Sequence, residues 1–387
     1  RLFNEKFSDD IFPEMRQLIE MHRRDGHTIV LASSAAPFQV EPAAASLGIG
    51  HVLCTQLESS DGSYTGNIHG AVLWGEAKAL AVRQFAVEQG IDLQRSYFYA
   101  DGNEDEALMH LVGNPRPTNP AEQLTRVANR RGWPIQRLTS RGRPDKEALL
   151  RYLVAMAATG PVMLGATAVH VLTGSRREAA NVFASTLLDF WVAMGEVKLN
   201  IVGQQHLWSQ RPAVFIFNHR NNFDAQIAGK LVRQNFGVVA KKDLQSNPVF
   251  AAASQFINIA FIDRNDSNAA VAALQPCTEL LHKGISMILA PEGERQRGPL
   301  PGVFKKGAFR MAMAAQVPIV PIVFRNALDI GARSAVVMRP GIVDIAVLPP
   351  ISVKRWSLAT LDEHIADVRQ RYIDTLENWP TAGTQQE

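Results

Sequence analysis

The hydrophobic pattern of the first 140 residues switches repeatedly between two periods. From Ile11 to Asp25 the apolar residues Met15, Leu18, Ile19 and Met21 recur at helical spacing. Pro13 suits the first turn of that helix and Gly26 its stop. Thr28–Ala32 is a short β-branched and apolar run, which predicts a buried parallel strand. A helix near Glu41–Leu47 and a strand near His51–Gln56 follow. Asp61-Gly62-Ser63-Tyr64-Thr65-Gly66-Asn67 is turn-rich and predicts a hairpin. Gly75–Gly90 reads as a helix, Ser96–Ala100 as a strand and Asp105–Val112 as a helix. This alternation predicts a parallel sheet with helices on both faces. The pattern breaks up at about 115–147, where Pro115, Pro117, Pro120, Gly132, Pro134, Gly142 and Pro144 lie among Arg126, Arg130, Arg131, Arg137, Arg141, Arg143 and Lys146. That stretch reads as a domain end and a basic linker.

Tyr152 to Ser175 contains no Asp, Glu, Lys or Arg, and it reaches the roughly 20 residues that a spanning helix needs. Gly160-Pro161 in its middle argues against one straight helix. Arg176-Arg177 follows, then a second helical pattern to Met194 with Phe183, Leu187, Leu188, Phe190 and Trp191. The pair fits either a membrane-dipping segment or a buried hairpin. The flanking cations favour the membrane, because they would meet anionic headgroups. From Val197 to about Leu348 strands and helices alternate again. Ala213–Phe217, Gly237–Ala240, Ile257–Ile262, Ser286–Ala290 and Ile319–Phe324 read as buried strands.

The 387 residues are enough for two or three domains. A hydrophobic share of 46% with 20% charged residues excludes intrinsic disorder, a collagen-like repeat and a disulfide scaffold. There is no internal repeat. Lys and Arg total 40 against 37 for Asp and Glu, a net charge of +3, too little to argue for a nucleic-acid partner. Cys54 and Cys277 lack metal-ligand spacing and read as buried thiols. Residue 1 is Arg and no apolar h-region follows it, so no signal peptide is expected; the start reads as a cut through a longer chain.

The chemistry gathers at strand ends. Strand Ala213–Phe217 runs into Asn218-His219-Arg220-Asn221-Asn222-Phe223-Asp224. Asp five positions after His can hold one imidazole nitrogen as a donor, leaving the other to accept a proton. Further on come Phe261-Ile262-Asp263-Arg264, then Pro291-Glu292-Gly293-Glu294-Arg295, then Phe304-Lys305-Lys306-Gly307, then Val317-Pro318-Ile319-Val320-Pro321-Ile322. This ordered set, over roughly residues 145–360, resembles the four sequence blocks of the glycerolipid acyltransferase family. The resemblance implies that His219 is the general base on the acceptor hydroxyl and Asp224 its orienting partner. It places Arg264, Glu292, Gly293 and Arg295 at the acceptor's glycerol phosphate, with Pro318 and Pro321 shaping the fourth block. Two departures bear on acceptor preference: Glu294 stands where Thr is common, and Asn221 and Asn222 replace more usual small or aromatic residues. Acyl transfer from a thioester to an alcohol needs a base, because a protonated hydroxyl is a poor nucleophile, and cations for an anionic acceptor. No cofactor is expected for it. Lys305 and Lys306 fit either a solvated loop or further cationic contacts. His170, His206 and His282 read as structural.

In the first half, strand Thr28–Ala32 runs into Ser33, Lys78 opens the Gly75–Gly90 helix, and strand Ser96–Ala100 runs into Asp101-Gly102-Asn103-Glu104-Asp105. A hydroxyl, a lysine and paired carboxylates at such strand ends suit phosphate and magnesium handling. With Gly113-Asn114-Pro115 beyond, the pattern resembles haloacid dehalogenase-like hydrolases of the phosphoserine-phosphatase-like branch. That resemblance implies phosphate contacts from Ser33 and Lys78, and Mg2+ held by Asp101 and Asp105. The family's first block, a strand followed by Asp-x-Asp, has no counterpart here; Asp9-Asp10 follows no buried strand. Phosphatase activity is therefore not expected of this chain.

The resulting expectation is an α/β chain. Residues 1–143 would form a partial Rossmann-like hydrolase domain and 144–387 an α/β acyltransferase domain opened by apolar membrane-associating helices at 148–196. The acyltransferase resemblance implies transfer from acyl-CoA or acyl carrier protein to 1-acylglycerol 3-phosphate (lysophosphatidate), giving phosphatidate at the cytoplasmic face of the cell membrane. The alternatives are a different acceptor, such as glycerol 3-phosphate or another lyso-lipid, a phosphomonoesterase anchored by the second domain, or a membrane-binding scaffold.

Overall fold

The structure, a computed structural model, describes residues 11–138, 144, 146–241, 254, 256–262, 275–296 and 300–380. The chain divides into two compact units, Arg1–Arg141 and Gly142–Glu387.

In the first unit, α1 (Pro13–Arg24) begins on its proline and is followed by Gly26 at φ +74°. Strand β1 (Val30–Ser33), helix α2 (Pro37–Leu47) and strand β2 (His51–Cys54) make a unit in which β1 and β2 pair in parallel. Strands β3 (Leu57–Ser60) and β4 (Ser63–Ile68) form the antiparallel hairpin. Its turn residues Asp61 and Gly62 both have positive φ, as the right-handed twist of a tight hairpin demands. Helix α3 (Glu76–Gln89), strand β5 (Tyr97–Ala100) and helix α4 (Glu106–Leu111) lead to strand β6 (Asn114–Pro117) and helix α5 (Glu122–Arg131). The core here is small: Ala79, Leu108 and Val112, backed by Val82, Leu93 and Phe98.

The expected linker from 115 onward is corrected by β6 and α5. Pro115 and Pro117 sit in a strand that pairs in parallel with β5 and with no other strand among the described residues. Proline is tolerated on such an edge because the missing N–H faces away from the ladder. The arginines belong to α5, which buries Leu124, Val127 and Ala128 and turns Arg130 and Arg131 outward. The basic stretch expected as a domain end and linker thus contains a charged helix with one apolar stripe.

The second unit opens with an α-helical hairpin, α6 (Lys146–Thr173) and α7 (Arg176–Met194). Contrary to expectation, α6 runs unbroken through Pro161 for 28 residues. Proline removes one backbone bond there, and helix-forming residues on both sides, with α7 alongside, keep the rest. Only Ala148, Ala155 and Ala166 of α6 are buried, while Leu149, Leu150, Leu153, Leu164, Val171 and Leu172 face outward. This is not the buried hairpin of a soluble core. The helix is long and apolar enough to cross a membrane, with 11% of its most apolar window buried.

The remaining elements are β7 (Val197–Val202), the short α8 (His206–Ser209), β8 (Val214–Phe217), α9 (Asp224–Val232), β9 (Phe236–Lys241), β10 (Asn258–Ile262), α10 (Gln275–His282), β11 (Ser286–Leu289), α11 (Gly307–Ala315), β12 (Ile319–Phe324), β13 (Gly341–Val347) and α12 (Leu361–Glu377). Among the described residues the strands form one sheet in the order β10-β9-β11-β8-β12-β13-β7. All neighbours run parallel except β12 and β13. The central strand β8 explains its own apolar run. Val214 and Ile216 enter one core with Phe309 and Tyr372, and Phe215 and Phe217 enter the opposite core with Ile227 and Val320. A strand covered on both faces has no polar position to offer.

Candidate active site

The site grows from the carboxyl end of β8. Asn218 is buried, and its side-chain amide continues the ladder: Nδ2 donates to Phe324 O at 2.9 Å and Oδ1 accepts from Phe324 N at 2.7 Å. The chain then leaves the sheet for one turn, and α9 begins at Asp224. Asp224 is fully buried, and three donors converge on its Oδ2. These are His219 Nδ1 at 3.0 Å, Asn221 N at 2.8 Å and Arg220 N. The carboxylate oxygen accepts, which makes Nδ1 the donor of this pair and, in the neutral ring, Nε2 the acceptor. The His219 side chain retains 20% exposure.

Glu292, expected among the acceptor contacts, is placed as a brace. It is buried, its Oε1 accepts from His219 N at 2.9 Å and its Oε2 from Gly302 N at 3.0 Å. Burial pushes its carboxyl above the ordinary range, while the bonds from Gly302 and His219 and the charge of Arg220 pull it back. Gly293 follows at φ +75°, and a Cβ there would lie 2.9 Å from Lys305 Nζ and 3.0 Å from its Cε. The glycine thus serves the left-handed turn and lets the Lys305 side chain cross it. Lys306 instead pairs with Asp362 at 2.7 Å on the exposed surface.

Arg295 donates from Nη1 to Asn222 Oδ1 and to Arg333 O, the latter at 2.6 Å. The third sequence block is thereby joined to the first. The two asparagines that depart from the family pattern act in this same lattice: Asn221 Nδ2 donates to Ala327 O at 2.6 Å, and Asn222 Nδ2 to Ala335 O at 2.9 Å. No local sequence pattern marks these partners, which lie 106 and 113 residues away. In the fourth block Pro318 O accepts from Val214 N and Pro321 O from Leu348 N. Arg264 lies outside the described residues. An apolar cleft lined by Tyr152, Ala155, Trp191, Phe223 and Met338 opens beside the residue preceding Asp224.

In the first unit, Lys78 and Asp105 meet: Nζ lies 2.6 Å from Oδ1, and both side chains are 7% exposed. Ser33, at the end of β1, accepts from Ala35 N at 3.2 Å. Asp101 is exposed just beyond β5. The fit to magnesium is therefore poor. One oxygen of Asp105 is already taken by Lys78, and among the described residues no three His, Cys, Asp or Glu side chains gather as a metal-binding group. Mg2+ asks for near-octahedral oxygen ligation, which these side chains do not furnish unaided.

Two family models match the chain: haloacid dehalogenase-like hydrolase over residues 1–110 and acyltransferase over residues 198–325. The chain joins a haloacid dehalogenase-like region to an acyltransferase domain. The acyltransferase match contains His219, Asp224, Glu292, Gly293 and Arg295; the hydrolase-like match contains Ser33, Lys78, Asp101 and Asp105. Among curated relatives, the chain is 32% identical over 178 residues to a putative 1-acyl-sn-glycerol-3-phosphate acyltransferase, acl-2, of Caenorhabditis elegans, covering 45% of this chain and 62% of the relative. It is 36% identical over 129 residues to a histidinol-phosphatase of Neisseria meningitidis serogroup C, covering 32% and 58%. The crystal structure of the 1-acyl-sn-glycerophosphate acyltransferase PlsC from Thermotoga maritima matches with a TM-score of 0.51 and 21% identity, over 61% of this chain and 96% of that one. That likeness shows the acyltransferase fold. The chain spans 58% to 62% of the length of these two curated relatives.

Proposed function

We infer that residues 144–387 transfer an acyl group from acyl-CoA or acyl carrier protein to 1-acylglycerol 3-phosphate, giving phosphatidate. The observation that carries this reading is His219, held through Nδ1 on a fully buried Asp224 with Nε2 free to accept a proton. Nε2 takes the proton of the acceptor hydroxyl as its oxygen bonds to the thioester carbonyl carbon. The tetrahedral intermediate collapses, the carbon–sulfur bond breaks, and the imidazolium returns its proton to the departing thiolate. Arg295, beside the His219 turn, and Arg264 are assigned to the acceptor phosphate, which guanidinium groups bind in bidentate fashion. The outward leucines of α6 support insertion of residues 148–196 into the cytoplasmic face of the membrane, where both lipid substrates reside.

Wild-type chain on anionic vesicles, given lysophosphatidate and acyl-CoA, should form phosphatidate. Glycerol 3-phosphate and an uncharged lyso-lipid supplied in parallel identify the acceptor. No acylated product with any of them would overturn the reading.

A second reading is phosphomonoester hydrolysis by the first unit, favoured by the hydrolase match over residues 1–110. Phosphate release in the presence of magnesium that disappears in Asp101→Asn, at an exposed position, would support it. Absence of release from phosphoserine, histidinol phosphate and an aryl phosphate would discard it for this chain.

A further inference from the structure

Helix α12 lies beyond the stretch matched to the acyltransferase family, yet two of its side chains bond the strand and the loop that flank the histidine turn. Arg369 and Tyr372, three residues apart, share one helix face. Tyr372 is fully buried and donates from its hydroxyl to Ile216 O at 2.7 Å, three residues before His219. Arg369 donates from Nε to Gly302 O at 2.8 Å and from Nη2 to Pro301 O at 2.8 Å. The amide of Gly302 donates to Glu292 Oε2, and Glu292 Oε1 accepts the amide of His219. The carbonyl of His219 accepts from Gln296 N at 2.8 Å. A continuous hydrogen-bonded path therefore runs from α12 to the backbone of the base.

We propose that Arg369 is a positioning residue for acyl transfer, setting His219 through the Pro301–Gly302 loop and Glu292, with Tyr372 anchoring the strand from the same helix face. This rests on His219 as the base. Displacing a base by about 1 Å costs on the order of 10²-fold in rate. Glu292 gives the arrangement a signature. The groups facing it are Arg220 and His219 on the turn, Gly302 on the loop and Tyr372 on α12. The Gly302 amide pulls the Glu292 carboxyl down against the upward push of burial. Freed of Arg369, the loop relaxes its hold, Glu292 takes a proton at higher pH, and one acceptor for the His219 and Gly302 amides is lost.

The test uses the full chain on vesicles. Arg369→Ala should lower kcat about 10- to 100-fold, with the acceptor KM changed by less than about twofold, and should move the acid limb of the pH–rate profile to higher pH. Arg369→Lys, which keeps a donor and the charge, should recover part of the rate. Arg371→Ala, on the exposed side where Arg371 pairs with Asp367, should match the parent. Parental kcat in Arg369→Ala, or a loss with an unmoved acid limb, overturns the proposal. If the parent itself forms no acylated product, the acyl-transfer reading fails separately. Positioning is then read by nitrogen-15 NMR of the His219 ring, assigned by its loss in His219→Ala. A shifted His219 titration in Arg369→Ala but not in Arg371→Ala supports the proposal, and an unchanged one overturns it.

Discussion

In one unit Lys78 Nζ lies 2.6 Å from Asp105 Oδ1, with both side chains 7% exposed; in the other His219 Nδ1 lies 3.0 Å from Asp224 Oδ2, with the histidine 20% exposed and the aspartate buried. Each pair joins a nitrogen to a carboxylate at the carboxyl ends of parallel strands. The lysine ammonium offers only donors, and one of them is already on Asp105. Imidazole has two nitrogens on opposite sides of a ring, so bonding one fixes the orientation of the other. Both partners of the first pair are buried; in the second only the carboxylate is, and the histidine side chain stays partly exposed. The difference lies in exposure: the first pair is enclosed on both sides, whereas the histidine of the second keeps an edge toward solvent.

The sharpest way to break this contrast is His219→Ala. Acyl transfer should fall by about 10²–10⁴ with the melting temperature nearly unchanged. Parental turnover in a folded variant would remove the leftover nitrogen from the mechanism. The closed pair should respond in the opposite manner. Lys78→Met strands Asp105 in the interior and should cost the first unit about 3–5 kcal/mol of stability, read by denaturant unfolding, while acyl transfer per folded molecule holds.

A smaller effect is expected at Arg295→Lys, which keeps the charge but cannot span Asn222 Oδ1 and Arg333 O together. The KM for lysophosphatidate should rise about tenfold, or about 1.4 kcal/mol, more than that for the thioester. Equal rises would make Arg295 a loop tie alone.

The smallest effect is a slope. Burial raises the Glu292 carboxyl, so the folded chain holds that proton more tightly than the unfolded chain does. Its stabilising contribution is present below the ordinary glutamate value and is lost as pH rises through the raised one. Glu292→Gln has no such proton. The melting temperature of the variant relative to the parent should therefore climb between about pH 4 and pH 8, while acyl transfer drops. A flat difference would mean that Glu292 ionises as readily folded as unfolded.

Much of this was legible in residue order. The β8 run Ala213–Phe217 could be read as buried because a strand covered on both faces carries no polar position, and His219, Asp224 and Arg295 were singled out by the resemblance of their blocks to the acyltransferase family. Elsewhere local composition misled. Pro115 and Pro117 suggested a linker, yet an edge strand spares them a ladder bond. Pro161 suggested a break, yet α6 continues through it. β13 carries the buried Asp344, whose Oδ1 accepts from Asn200 Nδ2 across the sheet at 3.0 Å, a partner 144 residues away.

Sequence alone thus determined the α/β alternation and the candidate residues at its strand ends, because periodicity and side-chain type are local properties. Tertiary structure alone decided how those residues are used. Whether Glu292 meets a ligand or two backbone amides, whether Asn221 and Asn222 are departures or ties, and whether Arg369 ties the Pro301–Gly302 loop depend on which distant backbone groups need a partner. A buried amide or carboxylate without a hydrogen bond is too costly to leave unpaired. The partner that satisfies it is chosen by the packing of the sheet and helices, at separations that no local pattern records.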